Sequence, residues 1–192
     1  MPTVAPRHGD IFEGGADLTV LPCSGKGTIS SATRRWKDAF HLPTPEDLPN
    51  RPKLGEVSQL IAFPGDPNRT KFVVYAASVF NDATSLEAIE SIARGLGEIT
   101  QAHKHIRQIE APLLGTGAGR LSAADSIKSL AKGFQASAAP EAQLLVFAFA
   151  ETYKAMAAAL DPDGSKVWDA VNLRPGVAGF SIDLKKLFRR KR

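Results

Sequence analysis

Short apolar runs alternate with amphipathic stretches along most of the chain. Three apolar runs predict buried strands, at residues 17–23, 107–114 and 143–149. Four stretches carry apolar residues at helical spacing and predict helices, at residues 28–40, 84–105, 122–139 and 151–160. Strands that alternate with helices in this way are typical of an α/β protein with a largely parallel sheet.

The central part of the chain breaks this alternation. Residues 56–63 and 71–80 both have the composition of strands, and the turn at 64–70 between them contains proline and glycine. This pattern predicts an antiparallel hairpin. The sequence therefore predicts a three-layer α/β/α fold with a mixed sheet over residues 1–160. The pattern weakens after that, so residues 161–192 are predicted to be a C-terminal extension.

Composition limits the cellular setting. The 192 residues fit one domain of ordinary size and contain a single cysteine, Cys23. One cysteine forms no internal disulfide, which indicates a reducing compartment. The first ten residues lack the apolar centre of a signal peptide, and no apolar run reaches the ~18–20 residues of a membrane-spanning helix. We therefore expect a cytoplasmic protein.

The positive charge lies mostly at the end of the chain. The formal net charge is +4, and residues 185–192 alone contain six lysines and arginines. The remainder is nearly neutral, which argues against a basic domain wrapped on nucleic acid. Leu184, Leu187 and Phe188 lie at helical spacing and predict a short helix docked on the domain. The alternative is a tail that contacts nucleic acid or another anionic surface.

A glycine-rich loop is the strongest functional signal. Gly115, Thr116, Gly117, Ala118 and Gly119 lie between a predicted strand and a predicted helix, and Arg120 follows them. Glycines let a ligand approach the main chain closely, and a helix N-terminus favours anions. A shorter loop follows the first predicted strand and consists of Ser24, Gly25, Lys26, Gly27 and Thr28. Two such loops side by side would hold a diphosphate from both sides.

Two common nucleotide motifs do not match. A dinucleotide-binding fingerprint needs G-x-G-x-x-G after the first strand, whereas residues 115–119 read G-x-G-x-G after a late strand. A Walker A loop needs G-x-x-x-x-G-K-[ST], and the Gly-Lys of residues 25–26 lacks the upstream glycine. Neither fold class is predicted.

The order of four motifs resembles that of a macro domain, over residues 7–160. The motifs are His8-Gly9-Asp10-Ile11-Phe12, the strand at 17–23, the short loop at 25–27 and the loop at 115–119. The resemblance implies that the chain binds ADP-ribose or a related adenine nucleotide, free or on an ADP-ribosylated macromolecule. Asp10 and Ile11 would contact the adenine, the two loops would hold the phosphates, and Phe149 would stack on the adenine or the distal ribose. It implies no cofactor and no metal.

The resemblance also identifies departures at catalytic positions. One group of macro domain hydrolases has an N-x-A-N segment where this chain reads Leu21-Pro22-Cys23-Ser24. The more similar group releases ADP-ribose from glutamate and uses a lysine, for which Lys37 is the candidate, and an aspartate, at the position of Gly119. We therefore expect ligand binding without efficient catalysis. The alternative is an ADP-ribosyl hydrolase that uses other groups, such as Asp38, Asp125 or a water held by the phosphates.

Overall fold

The computed structural model describes residues 1–66 and 70–161. Its sheet has six strands: β1 (Thr3–His8), β2 (Ala16–Ser24), β3 (Ile61–Ala62), β4 (Thr70–Val79), β5 (Gln108–Pro112) and β6 (Gln143–Ala148). Their spatial order is β1-β6-β5-β2-β4-β3. All neighbours are parallel except β3, which pairs antiparallel to β4. The mixed sheet and the antiparallel pairing confirm the predicted α/β class.

The helices form layers on both faces of the sheet. They are α1 (Ser31–Ala39), α2 (Leu86–Ala102), α3 (Ala123–Ser137) and α4 (Ala150–Leu160). One core lies under α2, α3 and α4 and contains Val20 of β2. The next residue, Leu21, belongs to a second core, which Trp36 of α1 covers on the opposite face. Because alternate strand residues face opposite ways, β2 connects both cores.

A partly buried carboxylate, that of Asp17, joins three strands at the end of the sheet opposite to the glycine loops. The carboxylate of Asp17 accepts hydrogen bonds from the backbone N–H groups of Arg107 (2.9 Å) and Gln108 (3.1 Å). It also pairs with Lys71 Nζ at 2.7 Å. Burial raises the pKa of Asp17, but these three hydrogen bonds outweigh burial, and the net pKa lies below its usual value. The ionised carboxylate thus stabilises the register of β2 against β5 and β4.

Several element boundaries differ from those predicted. The sequence analysis assigned no strand to residues 1–10, whereas β1 pairs with β6 along its whole length. The predicted strand at 56–63 is regular only at Ile61–Ala62, because Ser58 uses its Oγ as well as its N–H to bond Tyr75. Helix α2 begins after Ser85, whose Oγ accepts from Ala88 N, and thus starts two residues later than predicted.

The described residues leave the C-terminal predictions untested. None of the helices described is long and apolar enough to cross a membrane. Of the predicted extension, only Asp161 is described. The predicted apolar stripe at Leu184, Leu187 and Phe188 lies outside the described residues.

Candidate functional site

A cleft opens at the carboxyl ends of β2, β5 and β6, which is where ligands bind in open parallel sheets. It has two chambers. The polar chamber has a volume of about 580 Å³ and the apolar chamber about 380 Å³. The chambers share four lining residues and therefore form one continuous cleft: Pro22, Ser30, Pro112 and Leu113.

The second glycine loop, residues 115–119, forms one wall of the cleft. Its bend is closed by hydrogen bonds from Leu121 N to Gly115 O (3.0 Å) and from Arg120 N to Gly117 O (3.1 Å). Gly115 has φ +77°, a left-handed conformation that favours glycine. The N–H groups of Thr116, Gly117 and Ala118 have no acceptor in the described part of the chain. These three residues line the cleft, so the loop offers backbone donors to an anion.

The helix behind this loop is capped by Ser122. Ser122 Oγ accepts from Asp125 N at 3.1 Å and donates to the Asp125 carboxylate at 2.6 Å. Asp125 therefore serves the cap of α3 and does not line either chamber. Arg120, the predicted ligand contact just after the loop, also lines neither chamber.

The first glycine loop, residues 24–28, is closed on itself. The Ser24 Oγ accepts from the N–H groups of Lys26 (3.2 Å) and Thr28 (3.1 Å). Gly27 N donates to Ser24 O, and Ser24 N donates to Thr28 O, both at 2.8 Å. Gly25 N donates to Val79 O of β4, also at 2.8 Å. All five backbone N–H groups of this loop have acceptors within the protein, so in this conformation none of them is open to a phosphate.

The N-terminus of α1 lies where the first loop was expected to act. Ser30 caps the helix by accepting from Thr33 N at 3.1 Å, and it lines both chambers. The N–H groups of Ser31 and Ala32 have no acceptor among the described residues, as expected for the first turn of a helix. This contribution was not predicted, because the helix was expected to begin at Thr28. A serine just before an apolar-periodic segment was the available signal.

The apolar chamber contains the predicted adenine-contacting residues. Asp10 and Ile11 line it, and Phe149 lies at its edge with 62% of its surface exposed. Asp10 Oδ1 accepts from Phe12 N at 3.0 Å, which fixes the carboxylate at the start of a short 3₁₀ turn. The Phe12 ring lines the chamber and stacks on Trp36 behind it, with ring centroids 5.4 Å apart. This chamber suits a flat aromatic group with one polar edge.

A tight turn that the sequence analysis missed lines the polar chamber. Phe80 N donates to Ala83 O (2.8 Å), and Ala83 N donates to Phe80 O (3.1 Å). Asn81 and Asp82 between them have φ +50° and +57°, the backbone of a type I′ turn. Both residues line the chamber. The Asn-Asp dipeptide after a strand is a recognisable turn signal, because both residues tolerate left-handed backbone.

Cys23 lines the polar chamber at the end of β2 but is buried. Burial raises the pKa of its thiol to about 12. Since the thiolate is the nucleophilic form, a thiol that stays protonated at neutral pH is a poor nucleophile. These observations favour a packing role for Cys23 over a catalytic one.

The structure brings most of the predicted ligand residues to the cleft. Ten of them line it: Asp10, Ile11, Ser24, Lys26, Thr28, Gly115, Thr116, Gly117, Ala118 and Phe149. Four do not: Gly25, Gly27, Gly119 and Arg120. No group of three or more potential metal ligands occurs among the residues described.

Neither predicted catalytic position faces the cleft. Lys37 lies on α1 and pairs with the adjacent Asp38 carboxylate at 2.7 Å, and it lines neither chamber. A Cβ at Gly119 would overlap the Thr84 methyl group and stand 2.6 Å from Gly115 O. A side chain at this position would therefore point into the loop's own packing. In this conformation, steric crowding alone is enough to explain why position 119 is not an aspartate.

Comparison with known proteins gives a structural likeness without a sequence match. No protein-family model matches the chain, and neither does any curated protein sequence. The macrodomain of Mycobacterium tuberculosis DarG superposes with a TM-score of 0.61 at 16% identity, over 77% of this chain and 98% of that one. A mutant Oceanobacillus iheyensis macrodomain solved with ADPR gives 0.54 at 16% identity, over 83% and 91%.

A third solved structure, Thermosipho africanus DarTG in complex with ADP-ribose, gives a TM-score of 0.54 at 16% identity. The match covers 75% of this chain and 42% of that one. Identities this low concern the fold alone. Together with the sheet order, the three layers and the cleft at the strand ends, they lead to one conclusion: this chain has the macrodomain fold.

Proposed function

We propose that the cleft binds ADP-ribose or a related adenine nucleotide. The observation that carries this proposal is the second glycine loop. Its N–H groups at Thr116, Gly117 and Ala118 are open to the cleft. The aromatic-lined apolar chamber lies on one side of them and the hydroxyl-lined polar chamber on the other. An adenine nucleotide would match this order of surfaces, with its phosphate at the loop, its base in the apolar chamber and a sugar in the polar chamber.

The charge of the site supports an anion held by dipoles. In the described residues the N-terminus of α1, near Ser31, faces the same cleft as the second glycine loop. Both present N–H groups and the positive end of a local dipole, and backbone donors of this kind bind phosphate without a dedicated cation. Two neighbours with this fold were solved with ADPR or ADP-ribose, which adds support by analogy.

Binding without efficient turnover is the form of the proposal that the side chains favour. The Cys23 thiol is protonated at neutral pH, Lys37 is paired outside the cleft, and position 119 points into packing. The second candidate is an ADP-ribosyl hydrolase. Asp82 favours it, because it is a carboxylate that lines the polar chamber and could accept a proton from an attacking water.

Calorimetric titration of the full chain with ADP-ribose tests binding directly. Gly117 lines the cleft, and the position of a Cβ there is open, so Gly117→Glu would place a carboxylate where the phosphate binds. We expect saturable heat for the wild type and none for Gly117→Glu. Gln101→Glu adds the same charge at the exposed end of α2 and should bind like the wild type. No heat with ADP-ribose or any adenine nucleotide would refute the proposal.

Hydrolysis is tested separately by incubating the chain with ADP-ribosylated protein and measuring free ADP-ribose. We expect binding without release. Release that is lost in Asp82→Asn, while ADP-ribose binding remains, would favour the second candidate.

A further inference from the structure

We propose that the polar chamber accepts an uncharged, hydroxyl-rich group and excludes a terminal phosphate, and that Asp82 determines this selectivity. The inference rests on the proposed function, since it concerns the ligand group beyond the phosphate held at the second glycine loop. It selects ADP-ribose with a free terminal sugar over its 1″-phosphorylated form.

The first argument is the lack of backbone donors on the far wall of the chamber. This wall is the first glycine loop, and its five N–H groups all bond within the protein, with Ser24 Oγ taking two of them. A terminal phosphate against this wall would lose water without receiving main-chain hydrogen bonds from it in return. What the wall does present is the Thr28 hydroxyl, whose Oγ1 lies 2.6 Å from the Ser24 Oγ that already accepts from two backbone N–H groups. Hydroxyls that both donate and accept suit a sugar.

The carboxylate of Asp82 also disfavours a second anion in the chamber. Asp82 lines the chamber, and the type I′ turn between Phe80 and Ala83 holds its backbone in place. A second anion beside it would be repelled, whereas a sugar hydroxyl could donate a hydrogen bond to it.

The one cation among the described lining residues does not reverse this balance. Lys26 lines the chamber, and its Nζ lies over the Phe80 ring, 5.7 Å from the centroid. The positive charge of Lys26 is formally matched by the negative charge of Asp82. Arg51, which donates to the Lys26 carbonyl at 3.4 Å, does not line the chamber. The formal side-chain charges of the chamber therefore cancel, so its side chains provide no net attraction for a second anion.

The test compares calorimetric affinities for ADP-ribose and ADP-ribose 1″-phosphate at one salt concentration. We expect the wild type to prefer ADP-ribose by about tenfold or more, since like charges brought together cost affinity. Asp82→Asn keeps a residue that tolerates left-handed backbone and should reduce the preference to about threefold or less. Asn81→Asp adds a second carboxylate to the same turn and should increase the preference.

Glu98→Gln is the matched control, because it removes one negative charge from an exposed position on α2 outside the cleft. It should keep the wild-type ratio. Equal or tighter binding of the phosphorylated form, or a ratio that Asp82→Asn leaves unchanged, would overturn the inference while the proposed function stands. If neither compound binds, the proposed function fails and the inference fails with it.

Discussion

Two glycines of the same loop, Gly117 and Gly119, should respond to alanine in opposite ways. At Gly117 an added Cβ has no atom within 4 Å, and the residue lines the cleft. At Gly119 an added Cβ would overlap the Thr84 methyl group and approach Gly115 O to 2.6 Å, where ordinary contact begins at 3.4 Å. The first substitution should affect the ligand, and the second should affect the fold.

The expected magnitudes follow from these contacts. Gly119→Ala has to move either Thr84 or the backbone at Gly115, and overpacking of this kind costs about 1–3 kcal/mol. For a chain of this size the melting temperature should fall by roughly 2–4 °C per kcal/mol. Gly117→Ala should leave the free energy of unfolding within about 0.5 kcal/mol of the wild type. Its methyl group should displace the phosphate from at least one N–H donor and weaken ADP-ribose binding about tenfold or more.

Thermal unfolding without ligand and calorimetric titration with ADP-ribose measure the two effects separately. Each variant is the control for the other, because both carry the same added methyl group in one loop. A Gly119→Ala protein as stable as the wild type would show that the packing argument is wrong. A Gly117→Ala protein that binds ADP-ribose with wild-type affinity would show that the phosphate does not lie against this loop.

Three further predictions concern other parts of the described chain. Asp17→Asn should lower the free energy of unfolding at pH 7 by about 1–3 kcal/mol, since charge-assisted hydrogen bonds to Lys71 and two backbone N–H groups weaken. The folded-state pKa of Asp17 lies below its usual value of 3.8, so this stabilisation is present above that value and is lost as the pH falls through the folded-state pKa; urea unfolding across the acid range checks it. Phe149→Ala should weaken ADP-ribose binding by titration with little change in melting temperature, because most of the ring is exposed. The Cys23 thiol, with its pKa raised to about 12 by burial, should resist alkylation at pH 7.5 in the folded protein and react once guanidinium unfolds it, as mass spectrometry would show.

The elements that were predictable from sequence are those whose signal is local. The apolar run containing Leu144 and Val146 gives β6, and Ser122 with Asp125 marks the start of α3. Strand β1 was not predictable in the same way. It lies at one edge of the sheet and carries a proline, Pro6, and its burial comes from pairing with β6, which is distant in sequence. Pairing partners far apart in the chain leave no local pattern.

The two glycine loops show why the site itself was only half predictable. Both sequences predict flexible backbone, but their glycines serve different purposes. Gly27 has φ +90°, and a Cβ there would approach Glu46 Cγ to 2.5 Å, so this glycine allows the closed loop to pack against Glu46. Gly117 has open space beside it and faces the cleft. Both loops are rich in glycine, whereas the use of their backbone N–H groups differs.

The difference between the loops comes from acceptors that lie close by in space. In the first loop Ser24 provides both its carbonyl and its hydroxyl, and Val79 O of the neighbouring strand takes the Gly25 N–H. In the second loop the described acceptors take only the N–H groups of Arg120 and Leu121, after the bend. We therefore expect a glycine-rich loop to offer its donors to an anion only where no hydroxyl or strand carbonyl lies within reach of them. That condition can be partly judged from sequence, since a serine at the start of such a loop and a threonine four residues later, as at Ser24 and Thr28, already indicate closure.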